Sequence, residues 1–241
     1  MSAPREAKRG AAGSKRTRRI ALFGGTFDPI HAGHLAVAHA AVRRFHLDCV
    51  YFIPCGRPPH KHRSNLTAFP HRYAMVSLAC AGEARFAPSL AEAGKGFAGQ
   101  EIFYSVDTVR RFRRESAHRG DHIYFLLGAD SFLHIREWRT PEKLLTLCDF
   151  IVASRPGFPS AALQRAVPKE LSTEPGARGA AFTLHRARGK SDATSVYLLD
   201  TVASHVSATE VRWRLDNARP IRGLVPAPVE DDINQQGLYQ R

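Results

Sequence analysis

The chain has 241 residues, of which 44% are hydrophobic and 24% charged, and its formal net charge is +13. That length and apolar content suit one α/β domain, and no run approaches the roughly 20 apolar residues that a membrane-spanning helix needs. Cys49, Cys55, Cys80 and Cys148 form no C-x-x-C pair, which disfavours a zinc site and a disulfide framework and fits a reducing cytoplasm.

The charge is unevenly spread. Arg5, Lys8, Arg9, Lys15, Arg16, Arg18 and Arg19 face only Glu6 within residues 1–19, leaving +7 on the rest of the chain. That basic stretch is rich in Ala, Gly and Ser, so it is expected to be a disordered tail, more a solubilising extension than a nucleic-acid arm. It also lacks the apolar middle of a secretory signal, which points to a cytoplasmic protein. Residues 20–241 are expected to form the single domain, with a helical C-terminal part from about 207, and their modest positive charge suits small polyanions such as nucleotides.

In chain order, "RRIALF" reads as a buried strand ending at Phe23. Leu35, Ala38, Ala41, Val42 and Phe45 recur at helical spacing and predict a helix over about 33–46. "CVYFIP" (49–54) predicts a second strand, and Pro70 opens a helix to about 81. A helix over 104–115 follows, with Ser105 as its N-cap, then the most continuous apolar run, "HIYFLLG" (122–128), as a central strand. "SFLHIREW", "TPEKLLTLC" with Thr140 capping, and strand "DFIVAS" come next. Residues 156–180 read as a surface excursion with one short helix; "AAFTLH" and "VYLLDT" read as strands. Ser207 and Glu210 form a capping-box pattern for a helix to about 217, and a last helix covers about 227–236. Strands alternating with helices predict a doubly wound, mostly parallel, Rossmann-like α/β sheet with its ligand at the carboxyl ends of the strands.

"GGTFDPIHAGHL" (24–35) lies between the first strand and first helix, where such folds hold phosphate. Gly24 and Gly25 let a ligand approach the backbone, and His31 and His34 sit three apart on the first helical turn, where the N–H groups and dipole favour an anion. The competing readings are a tight turn and a zinc site, and the latter lacks a third ligand nearby.

The wording "GGTFDPIHAGH" resembles the H-x-G-H signature of the nucleotidyltransferase superfamily, and in particular the bacterial nicotinate mononucleotide adenylyltransferase family. Further matches run in order: "FIPCGRPPHK", "YSVDTV", "LLGADSFLHIREW", "VASRPG", "VSATEVR" and "IRGLVPAPVEDDINQQGLY". The resemblance implies transfer of AMP from ATP to nicotinate mononucleotide, with Mg²⁺ carried by the ATP phosphates rather than by protein ligands. By the same resemblance His31 and His34 are the catalytic residues, and Gly24, Gly25, Thr26, Phe27, Gly128, Asp130, Ser207, Thr209 and Arg212 join them in binding ATP. His60, Lys61, Tyr104, Ser105 and Trp138 are implied to hold the mononucleotide, Trp138 by stacking on the pyridine ring. For Asp130, a ribose contact and a helix cap remain even alternatives, while Ser207 is suited to cap and to bind phosphate at once.

Ser105 and Ala208 depart from the Thr and Ser more usual in the family, and the stretches 91–103 and 158–192 are longer. No specific nucleic acid or membrane partner is expected, and the sequence is silent on oligomeric state. The alternative acceptors are nicotinamide mononucleotide and phosphopantetheine; a nucleic-acid-binding module is the alternative of another class.

Overall fold

The computed structural model describes residues 16–57, 66–115, 120–154, 156–186, 193–202 and 205–240. Eight strands form one sheet in the order β3-β2-β1-β4-β5-β8-β7-β6. They are β1 (Arg19–Gly25), β2 (Cys49–Pro54), β3 (Phe86–Pro88), β4 (His122–Gly128), β5 (Asp149–Ala153), β6 (Leu171–Pro175), β7 (Phe182–Arg186) and β8 (Thr194–Leu199). The six strands from β3 to β8 along the sheet are parallel, and β7 runs antiparallel to both β8 and β6. The helices are α1 (Ala32–Phe45), α2 (Phe69–Cys80), α3 (Ser105–Arg114), α4 (Ala129–Leu133), α5 (Pro141–Leu144), α6 (Ser160–Ala166), α7 (Ala208–Asp216) and α8 (Ala227–Gln235).

Both faces of the sheet are covered, which explains why its central strands are apolar without a break. Along β1, Ala21 and Phe23 enter a core with α1, α2, α7 and α8, whereas Ile20 and Leu22 enter a second core with α3, α4, α5 and α6. β4 divides likewise: Tyr124 and Leu126 face the first core, Ile123, Phe125 and Leu127 the second. The chain builds outward from β1 through β2 to β3, then crosses to β4 on the other side of β1. The crevice beyond the carboxyl ends of β1 and β4 is therefore the switch point where such sheets take ligands.

Several sequence expectations shift. Arg19 already belongs to β1, and Arg18 pairs with Asp121 at 2.6 Å, so these residues of the basic stretch join the folded body. Tyr104, not Ser105, is the N-cap of α3; Ser105 is its first helical residue. Thr140 does precede α5 but sits at φ 46°, outside the extended backbone usual for a capping residue, and makes no side-chain capping bond. Within 156–180 the structure adds β6, which pairs with β7 despite its Pro and charged residues because it is an edge strand. Among the described residues no helix is long and apolar enough to cross a membrane.

Candidate active site

β1 delivers Gly24 and Gly25 to the switch point, and the loop then turns back sharply. A Cβ on Gly25 would lie 2.9 Å from Cζ of Phe27, so only glycine leaves room for that ring. Phe27, at φ 48°, packs edge-on against His34 with ring centroids 5.0 Å apart, and Phe23 contacts the same imidazole at 6.0 Å. Phe27 of the loop and Phe23 of β1 therefore form a wall beside His34.

His31 is the N-cap of α1 and His34 lies one turn in. The main-chain N–H of His31 donates to Nδ1 of His34 at 3.2 Å, which places the proton of a neutral His34 on Nε2. The two rings stack with centroids 3.7 Å apart. Two positive charges at that separation repel by about 4 kcal/mol at an effective dielectric of about 20, so the pair accommodates one proton more readily than two. Burial lowers the pKa of His31 to about 4; burial and then the charge of His31 lower that of His34. His31 is 7% exposed and its Nδ1 is buried with no hydrogen-bond partner, a cost that a bound donor or acceptor would remove.

The far end of the chain fastens this loop. Nη1 of Arg212, on α7, donates to the carbonyl of Asp28 at 2.6 Å, and the N–H of Ala32 donates to the carbonyl of Leu224 at 2.8 Å. The buried Asp28 carboxylate accepts from the Tyr239 hydroxyl at 2.8 Å and from the N–H of Thr67 at 3.4 Å. Burial, and then the Asp28 charge, push the Tyr239 phenol up, so it remains a donor. Ser207 caps α7 by accepting from the N–H of Glu210 at 3.1 Å, while Thr209 is exposed on its first turn.

Gly128 ends β4 and caps α4, with Asp130 exposed as the second residue of that helix. Gly128, not Asp130, holds the N-cap position of α4, and Asp130 stands in the first turn of that helix. Trp138 is half-buried in the second core, edge-on to Phe125 at 6.1 Å. Phe125 also lies 3.9 Å from where a Cβ of Gly24 would stand, so the Trp138 segment and the glycine loop meet through one ring. The Arg139 guanidinium sits over the Tyr104 ring at 4.5 Å, joining that segment to the start of α3 and Ser105. His60 and Lys61 lie outside the described residues.

Sequence reasoning passed over Arg72, Tyr239, Asp28 and Glu92. For Arg72 a signal existed: it falls on the apolar stripe of α2 with Phe69, Met75, Val76 and Ala79, where a charge signals a buried task. Tyr239 carries no comparable signal, being a lone aromatic in a polar terminus.

A histidine-bearing strand–helix junction at the switch point of a parallel sheet defines a nucleotidyltransferase of the α/β class, and the cytidylyltransferase-like family profile matches residues 22–214. Similarity along nearly the whole chain narrows this. A protein of Moorella thermoacetica named probable nicotinate-nucleotide adenylyltransferase is 40% identical over 226 residues, 93% of each chain. One of Geobacter sulfurreducens with the same name is 37% identical, covering 92% of this chain and 98% of its own. The chain belongs to the nicotinate-nucleotide adenylyltransferase family. Its fold is that of the Plasmodium falciparum nicotinic acid mononucleotide adenylyltransferase solved in complex with NaAD, with a TM-score of 0.66 at 21% identity over 92% of this chain and 97% of that one.

Proposed function

We infer that the protein transfers the adenylyl group of ATP to nicotinate mononucleotide, forming nicotinate adenine dinucleotide and pyrophosphate in NAD biosynthesis. The observation that carries this reading is the stacked, neutral histidine pair at the switch point, within a chain whose relatives bear that name along their whole length. The mononucleotide phosphate attacks the α-phosphorus, and the bond to the bridging oxygen of pyrophosphate breaks. The attacking oxygen is already anionic, so no general base is needed, and catalysis consists of alignment and charge neutralisation.

In this reading Gly24, Gly25, Thr26 and Phe27 let the triphosphate lie against the backbone, and His34 offers its Nε2–H. His31, with the unpartnered nitrogen, takes up a proton from solvent when the triphosphate binds and so faces the leaving group as an imidazolium while negative charge gathers there, and the more deeply held His34 stays neutral. Arg212 has guanidinium nitrogens left after its bond to Asp28, and with Ser207 and Thr209 it supplies a second grip from α7. Gly128 and Asp130 receive the adenosine ribose. Trp138 forms the platform for the pyridine ring, and Tyr104, Ser105, His60 and Lys61 hold the rest of the mononucleotide.

Mg²⁺ enters with ATP. The only carboxylate of the histidine loop, Asp28, has both oxygens engaged by Tyr239 and Thr67, which fits a cation carried by the nucleotide. Bound there, it would neutralise phosphate charge and polarise the transferred group. The test is turnover with ATP and each of nicotinate mononucleotide, nicotinamide mononucleotide and phosphopantetheine. The acid is expected to be the best acceptor by kcat/KM; a better amide or pantetheine acceptor contradicts the assignment.

A further inference from the structure

The β1–α1 and β2–α2 loops leave the sheet side by side, with the N–H of Cys55 bonded to the carbonyl of Gly25 at 2.8 Å. A buried cation sits between them. Arg72, 1% exposed, donates through Nη1 to the carbonyls of Thr26 and Cys55, each at 2.8 Å, and through Nη2 to that of Gly56 at 2.9 Å. Its Nε donates to the carbonyl of Thr67 at 2.9 Å. These four acceptors are uncharged. On the opposite side Glu92, 8% exposed, accepts from the Thr108 hydroxyl at 2.8 Å and from the N–H of Gly56.

The peptide unit that joins Cys55 to Gly56 is thus held at both ends: its oxygen by the guanidinium, its N–H by the carboxylate. Above the raised pKa of Glu92, about 7, its dipole lies between two charges, negative end to the guanidinium and positive end to the carboxylate. Burying either charge without a counter-charge is costly, and an aligned peptide lets each compensate the other without direct contact. Gly56 is what the arrangement demands, since a Cβ there would stand 2.7 Å from the carbonyl oxygen of Glu92 and 2.8 Å from that of Glu101. Anchoring α2 does not require the charge, because Met75, Val76 and Ala79 already bury that face. All four bonds of Arg72 go instead to the two loops, three of them to Thr26, Cys55 and Gly56, where those loops leave the carboxyl edge of the sheet.

We propose that Arg72 and Glu92 are a pair of positioning residues, coupled through the Cys55–Gly56 peptide, that holds the start of the β2–α2 loop in register with the histidine loop and so aligns the phosphate acceptor with the nucleotide. The word acceptor rests on the function proposed above; the coupling itself does not. The test is a double-mutant cycle of Arg72→Gln, Glu92→Gln and the double variant, with Arg72→Lys alongside, read in two ways.

Denaturant unfolding needs no activity, and there the two substitutions are expected to be non-additive, the double variant losing less than the sum of the singles. In steady-state kinetics each single substitution is expected to cut kcat/KM for the acceptor by about 100-fold, with kcat falling and KM for ATP moving far less. The double variant is expected to be no worse than the worse single, and Arg72→Lys to recover part of the loss. If Arg72→Gln does not fold, the same cycle is run with Arg72→Lys. Losses that simply multiply, or folded single variants with wild-type kcat and KM, overturn the proposal. Coupling in unfolding without any turnover of nicotinate mononucleotide by the wild type would uphold the clamp and overturn the function instead.

Discussion

Replacing His31 by Asn removes the group assigned to take up charge when nucleotide binds. In the free protein burial holds His31 at a pKa of about 4, so at pH 6 about 1% of molecules carry its proton. A phosphate charge about 4 Å away contributes about 4 kcal/mol at an effective dielectric of about 20, a rise in proton affinity of about a thousandfold. Binding of ATP at pH 6 is then expected to protonate about 90% of the His31 rings, and at pH 8 about a tenth. Isothermal titration calorimetry in two buffers of different ionisation enthalpy counts that proton. The titration of the ATP phosphates themselves is common to wild type and His31→Asn and cancels in their difference. A difference near one proton at pH 6 that fades by pH 8 is expected. Equal proton uptake by the two proteins at pH 6, with ATP still bound, refutes the reasoning.

Three further outcomes follow from the same geometry. Burial raises the pKa of Glu92 from 4.5 to about 7, so its contribution to stability falls as pH rises through that window, whereas the lowered His31 and His34 lose stability as pH falls from 6.5 towards 4. The slopes oppose each other, and Glu92→Gln is expected to steepen the acid loss between about pH 6.5 and 4.5 by about 1.4 kcal/mol per pH unit, measured by urea unfolding at stepped pH; an unchanged slope contradicts the assigned burial. Gly25→Ala forces its new methyl onto the Phe27 ring and is expected to cost about 1–3 kcal/mol in thermal unfolding and to lower kcat, since that ring backs His34. Trp138→Ala is expected to raise KM for nicotinate mononucleotide about fivefold to tenfold with KM for ATP near wild type, the loss of a stacking contact of about 1 kcal/mol; equal rises in both would remove Trp138 from the acceptor side.

The sequence announced the histidine loop because glycines, proline and paired histidines had to occur together, between an apolar strand and an amphipathic helix. The central strands were legible for a related reason: buried on both faces, "HIYFLLG" and "DFIVA" carry no polar interruption. Ser207 was readable as a cap because its partner, the N–H of Glu210, is three residues away. Contacts across long separations left no such trace. Arg212 reaches the carbonyl of Asp28 across 184 residues and Tyr239 reaches its carboxylate across 211, so α7 and the C-terminal turn fasten the histidine loop in a way no local pattern records. Ser105 misled because a serine before an apolar run resembles a cap, yet Tyr104 holds the extended backbone there. β3 escaped notice because three residues are too few to display a period. Arg72 was legible only as a charge on the apolar stripe of α2; its carbonyl partners, up to 46 residues away, were not.

The central claim is that this chain moves an adenylyl group rather than a phosphoryl or pyrophosphoryl group. ATP labelled at the α-phosphorus, incubated with the protein, Mg²⁺ and nicotinate mononucleotide, tests it most directly. The account expects the label in nicotinate adenine dinucleotide, with one unlabelled pyrophosphate released per dinucleotide formed. Label confined to ADP or AMP, with an acceptor product that carries none, would contradict it.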